Sequence, residues 1–218
     1  MTRHNLSPAD LLDSTKYELI KKVHYTELKS FILKETGYKT PLIVFYGIFQ
    51  IAAIALFSGL SGFYAYRFIF HGEFSPQVIA ILISLAISFS VLIVVHELLH
   101  AMAFILLGKK NIGFGAQWKK FLFYAEADMQ VLDMFEMIIV ALTPFITILI
   151  TGILMFIASS DLTLSITGLM IVLIHFLFCG GDFAIISFFI RNKNEKLYTF
   201  DNRKERTTYY YRTITHEQ

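Results

Sequence analysis

The chain has 218 residues, 56% of them hydrophobic and 17% charged, with a formal net charge of +2. Residues 42–66, 74–95, 137–160 and 162–181 contain no Asp, Glu, Lys or Arg, and each run reaches or exceeds the roughly 20 apolar residues a helix needs to cross a bilayer. So short a chain could not hide four such helices from water, which excludes a soluble enzyme; the charge pattern excludes a nucleic-acid groove, and the single Cys179 excludes both an intrachain disulfide and a cysteine-rich zinc module.

Residues 1–40 form a polar leader of mixed charge, cytoplasmic or interfacial, without the early apolar stretch and cleavage site of a secretory signal. The first span is therefore expected to serve as the insertion signal. Ser7-Pro8 predicts a short amphipathic helix using Leu11, Leu12 and Tyr17, and residues 25–36 predict a second one closed by Gly37. Four spans follow, near 42–66, 77–107, 134–158 and 163–190, within a membrane domain covering 41–190; residues 191–218 form the tail. The fold class is thus all-α and polytopic, with about four transmembrane helices. Basic residues divide unevenly among the connections. The leader carries seven Lys/Arg, the tail seven, and the middle connection Lys109, Lys110, Lys119 and Lys120, whereas the two opposite connections hold only Arg67. The positive-inside rule places both termini in the cytoplasm, and Glu73 and Asp161 outside. Membrane lipids are then the immediate partners.

The second span is too long for one straight crossing, and Gly108-Lys109-Lys110 supplies its end. Residues 111–130 do not read as a fifth crossing. Gly113 and Gly115, followed by Trp118, Phe121, Phe123 and Tyr124, predict a short membrane-flanking β element or an interfacial loop. A strand there would offer an edge to an extended peptide. Glu126, Asp128, Asp133 and Glu136 are expected to form a hydrated face beside the bilayer. In the tail, Tyr198-Thr199-Phe200 and Thr207 to Thr213 have strand-forming composition. Tyr209, Tyr210 and Tyr211 are expected at the membrane surface or against residues 111–130.

The chemistry concentrates in His96-Glu97-Leu98-Leu99-His100. The histidines stand four residues apart, so on a helix they share one face and converge on one ion. Glu97 lies beside them, within reach of a water that such an ion would activate. Two histidines inside a span need a polar partner, and Asp182 is the strongest candidate. It precedes Arg191 by nine residues, as His100 precedes Lys109. Both gaps correspond to roughly 14 Å of helix, so the two sites match in depth. Gly180 and Gly181 permit close helix approach or local unwinding. His175, seven residues before Asp182, is the rival ligand or a supporting hydrogen-bond partner, and Cys179 either offers sulfur or simply packs. Pro144, in Ala141-Leu142-Thr143-Pro144, removes a helical hydrogen bond; the freed carbonyls could line a hydrated pocket or hold an extended substrate.

These motifs, with Gly180-Gly181-Asp182, resemble the bacterial putative zincin peptidase family of previously unknown function and, more distantly, site-2-type intramembrane metalloproteases. The likeness spans about residues 45–190. It implies one Zn2+ ion held by His96, His100 and Asp182, with Glu97 as the catalytic glutamate. It also implies hydrolysis of a peptide bond in or near the membrane of a bacterial cell, with a membrane protein or peptide as substrate. Two other classes fit the same residues: a noncatalytic binding or regulatory protein with a structural metal, and a small transporter with a polar path along His96, Glu97, His100 and Asp182. Four spans without an internal repeat suit a transporter less well.

Overall fold

The computed structural model describes residues 6–214 and is mostly helical, with six strands. Helix α1 spans Leu28–Gly37 and α2 spans Pro41–His71. Thr40 caps α2, its hydroxyl accepting from the Ile43 N–H, Pro41 fits the first turn, and Gly72 ends the helix in the left-handed region. Helices α3 (Pro76–Ser88) and α4 (Val91–Leu106) follow, then α5 (Met134–Ala158), α6 (Leu162–Phe178) and α7 (Gly180–Arg191).

Helices α2 and α5 are each long and apolar enough to cross a membrane. Two bent pairs also satisfy that test when each is taken together: α3 with α4, bent by 48°, and α6 with α7, bent by 50°. The long second span expected from the sequence is therefore broken at Phe89-Ser90, which relieves its excess length. The last span breaks at Cys179, where the adjoining glycines weaken helix continuation. Large apolar side chains such as Ile51, Phe70, Ile105 and Ile157 face outward.

Helices α5 and α6 approach closely because both lack a side chain at their crossing. A Cβ on Gly152 would come within 2.3 Å of Val172, and one on Gly168 within 2.6 Å of the Met155 Cβ. Backbone contact of this kind is the usual means of helix association in lipid, where apolar burial alone provides little drive.

The chain ends meet outside the helices. Strand β1 (Tyr17–His24) pairs antiparallel with β6 (Thr207–Thr213), and the sheet order is β1-β6-β5-β4, with β5 at Leu197–Asn202 and β4 at Leu132–Asp133. The helix expected after Ser7-Pro8 is only a 3-10 turn at Asp10–Leu12, and Tyr17 already belongs to β1. Tyr210 packs with Phe31, Phe188 and Phe189, and Tyr211 with Leu11, Val131 and Phe200. Helices α1 and α7, the Asp10–Leu12 turn and β5, rather than residues 111–130 or a lipid surface, thus take up these two rings. The sheet is tied to the helices through Glu35, which is fully buried and receives both an Arg191 guanidinium at 3.0 Å and Lys21 at 3.7 Å. Pairing compensates the cost of that buried carboxylate.

Strands β2 (Ile112–Gln117) and β3 (Leu122–Ala127) form a separate antiparallel hairpin, in register from Ile112↔Ala127 to Gln117↔Leu122. Both chain ends grip it. The Tyr25 hydroxyl and the Arg203 guanidinium each donate to Glu126, and Arg203 also donates to the Asn111 carbonyl at 2.9 Å. Gly113 leaves room for this arginine, since a Cβ there would lie 2.1 Å from the guanidinium. The acidic residues expected to line a hydrated face have specific partners instead. Asp133 and Glu136 form a capping box on α5, Glu136 binds Lys109 at 2.8 Å, and Asp128 accepts from the Arg203 N–H.

Asp201 completes this junction, accepting from the Thr208 hydroxyl at 2.6 Å. Burial, reinforced by the neighbouring Glu126 and Asp128 carboxylates, pushes its carboxyl up to about 7 against the opposing Thr208 bond. An unfolded aspartate releases its proton near pH ~4, so in that interval the folded chain holds the extra proton. Stability from this group is therefore present at low pH, falls as pH rises from about 4 to about 7, and then levels off. Asp201→Asn should remove the fall. Its thermal midpoint in detergent is expected to match wild type near pH 4 and to exceed it by several degrees at pH 8. A constant difference across that range would refute the assignment.

Candidate metal centre

Helical periodicity on α4 brings His96 and His100 to one buried face, with ring centroids 4.7 Å apart. The break at Cys179 places Asp182 in the first turn of α7, turned toward that face. The His96 Nε2 and His100 Nε2 atoms lie 3.0 Å apart; Asp182 Oδ2 is 3.3 Å from the first and its Oδ1 3.3 Å from the second. Ligands at 2.0–2.1 Å from a tetrahedral zinc stand roughly 3.3–3.4 Å from one another. The three groups thus have both the spacing and the chemistry of a zinc-binding set, and the donor atoms lie within 4.8 Å of each other.

The other ring nitrogens are also engaged. His96 Nδ1 lies 2.9 Å from His175 Nε2, and His100 Nδ1 lies 2.9 Å from the Val140 carbonyl. Fixing the outer nitrogen in this way orients a ligating imidazole. His175 therefore contacts the far side of His96 rather than the face shared with His100 and Asp182. The helix break explains this, because it removes the straight seven-residue stacking between His175 and Asp182. His96, His175 and Cys179 make a second group with metal-ligand spacing, sharing His96 with the first. Cys179 Sγ, however, donates to the His175 carbonyl of its own helix at 3.3 Å.

Glu97 lies on the same turn of α4. The Ala125 backbone of β3 lies beside its carboxylate, yet its Oε2 is buried without a partner among the described residues. Buried unsatisfied carboxylate oxygens are costly and call for a water or ion. Next to Glu97 opens a cleft of about 530 Å³ between α4 and the hairpin, lined by Phe89, Ile93, Leu98, Phe114 and Phe121. Pro144 is buried inside α5, one turn beyond Val140. The Ala125 contact and the Val140 carbonyl are site features that sequence reasoning missed: backbone groups carry no residue-type signature, although Pro144 did signal a free carbonyl four residues earlier.

No curated protein and no solved structure matched this chain. Residues 89–197, half of the chain, match the family model described as putative zincin peptidase. The matched region runs from the break between α3 and α4 to the start of β5 and contains every residue of the cluster. By that match, the chain belongs to the putative zincin peptidase family.

Proposed function

We propose that this protein is a multi-pass membrane zinc peptidase that hydrolyses peptide bonds within or next to the bilayer. One observation carries the reading: two imidazole Nε2 atoms and a carboxylate stand at zinc-ligand spacing, beside a buried glutamate oxygen that has no partner among the described residues. His96, His100 and Asp182 would hold one zinc ion. When bound, zinc lowers the pKa of water toward 7 and polarises the scissile carbonyl.

The remaining work falls to the chain. Glu97 accepts a proton from the attacking water as the hydroxyl adds to the scissile carbonyl carbon. It then returns that proton to the amine as the carbon–nitrogen bond breaks. His175 and the Val140 carbonyl hold the two imidazoles in place, and Ala125 holds Glu97 through its backbone. The apolar cleft beside Glu97 suits a hydrophobic segment, and the β2–β3 hairpin suits an extended one, because strand edges bind peptide backbone. A helical substrate would have to unwind to enter. The charge asymmetry of the connections supports cytoplasmic termini and a site toward the cytoplasmic side, as does the distant resemblance to site-2-type proteases.

The test is cleavage of a transmembrane-peptide library by purified protein in lipid nanodiscs. Chelation should abolish product, and zinc should restore it. Product formation that persists after complete removal of metal would overturn the reading, and so would a closed, water-free metal site seen by X-ray absorption, which marks a structural role.

A further inference from the structure

In an α-helix the Val140 carbonyl would accept the N–H of residue 144, but residue 144 is proline and has none. The proline ring also crowds that carbonyl off the helical path. A backbone carbonyl left without a partner in a membrane interior is costly. Here the vacancy is filled from another helix: His100 Nδ1 lies 2.9 Å from the Val140 oxygen, and both groups are buried. The neighbouring Ile139 carbonyl is occupied, receiving the Thr143 hydroxyl at 2.7 Å.

We propose that Pro144 is a positioning residue for His100: by withholding an N–H, it reserves the Val140 carbonyl for the His100 Nδ1–H and so turns His100 Nε2 toward Asp182. This role deepens the metal-centre reading and rests on it for its purpose, but the His100 Nδ1–H hydrogen bond can be measured without metal. An imidazole whose proton sits on Nδ1 presents a lone pair at Nε2, the atom 3.3 Å from the Asp182 carboxylate. His96 is held instead by a side chain, its Nδ1 facing His175 Nε2 at 2.9 Å. The two ligands are thus aligned by different means, one by a second histidine on α6 and the other by a backbone oxygen that α5 gives up. This assigns Pro144 a role other than contact with substrate.

The experiment reads the His100 Nδ1–H hydrogen bond in metal-free protein labelled with 15N-histidine, with the signal assigned by its loss in His100→Gln, and reads zinc affinity separately by competition with a chelating dye. Wild type should carry a proton on His100 Nδ1, with the nitrogen shift of a hydrogen-bonded N–H. Pro144→Ala supplies a competing N–H; it should weaken that hydrogen bond and lower zinc affinity by roughly 10–100-fold, the range for loss of a supporting hydrogen bond. Replacing Pro144 with lactate by nonsense suppression removes both the ring and the N–H, and should restore both wild-type readouts. The proposal is overturned if wild-type His100 Nδ1 carries no proton, if Pro144→Ala changes neither readout, or if the alanine and lactate variants behave alike. Failure of the wild type to bind zinc would instead defeat the metal-centre reading, while the Nδ1 data would still decide the role of Pro144.

Discussion

Asp182→Ala is expected to weaken zinc binding by more than about 100-fold, beyond the 10–100-fold typical when only a supporting partner of a ligand is lost. The carboxylate spans the two histidines, with one oxygen 3.3 Å from each Nε2. Removing it deletes a ligand and the only negative charge placed between the imidazoles in this group. A 100-fold change corresponds to roughly 2.7 kcal/mol, so the effect is well within reach of equilibrium titration. His175→Ala serves as the comparison, because it leaves all three Nε2 and carboxylate donors in place. It should fall in the milder range. If His175→Ala costs more affinity than Asp182→Ala, the ion belongs to the His96, His175 and Cys179 group instead.

The second large effect concerns Glu97. Glu97→Gln should lower cleavage by about 10²–10⁴-fold, the usual contribution of a positioned general base. Zinc content should be unchanged, because Glu97 is absent from the metal-spaced groups. Glutamine keeps the size of the side chain and a carbonyl acceptor, but it cannot take a proton from water. Turnover and bound metal measured on the same preparations separate the outcomes. Equal turnover by the two proteins would remove Glu97 from the chemistry, whereas parallel loss of zinc and turnover would make it a ligand or a folding residue.

Much of this arrangement was legible in the sequence because it depends on periodicity and charge. The four-residue spacing of His96 and His100 fixes a shared helix face whatever surrounds it. The matching nine-residue distances to Lys109 and Arg191 anticipated the meeting of His100 with Asp182 at one depth. Glycines and β-forming residues suggest the strands at Leu197–Asn202 and Thr207–Thr213, and at Ile112–Ala127 they leave a hairpin and an interfacial loop both open. Long-range pairing was not legible. Nothing local in Tyr17–His24 says that it will pair with Thr207–Thr213, since strand partners are chosen by tertiary packing. Glu126 and Glu136 read as hydrated because carboxylates usually are; their burial depends on Tyr25, Arg203 and Lys109 arriving from distant segments. The placement of His175 was obscured for a different reason, as a helix break lies between it and Asp182.

The pairing of β1 with β6 has a consequence for biosynthesis. Strand β1 emerges from the ribosome early and β6 only after every apolar helix has been made, so the sheet cannot close during insertion. Tyr25 and Arg203, which grip Glu126 from distant segments, likewise come together only after β5 has been made. The hairpin that borders Glu97 is therefore loosely held throughout translation and becomes fastened last. Such an order of assembly leaves the metal-spaced cluster without its fastened hairpin until these late strands have been made.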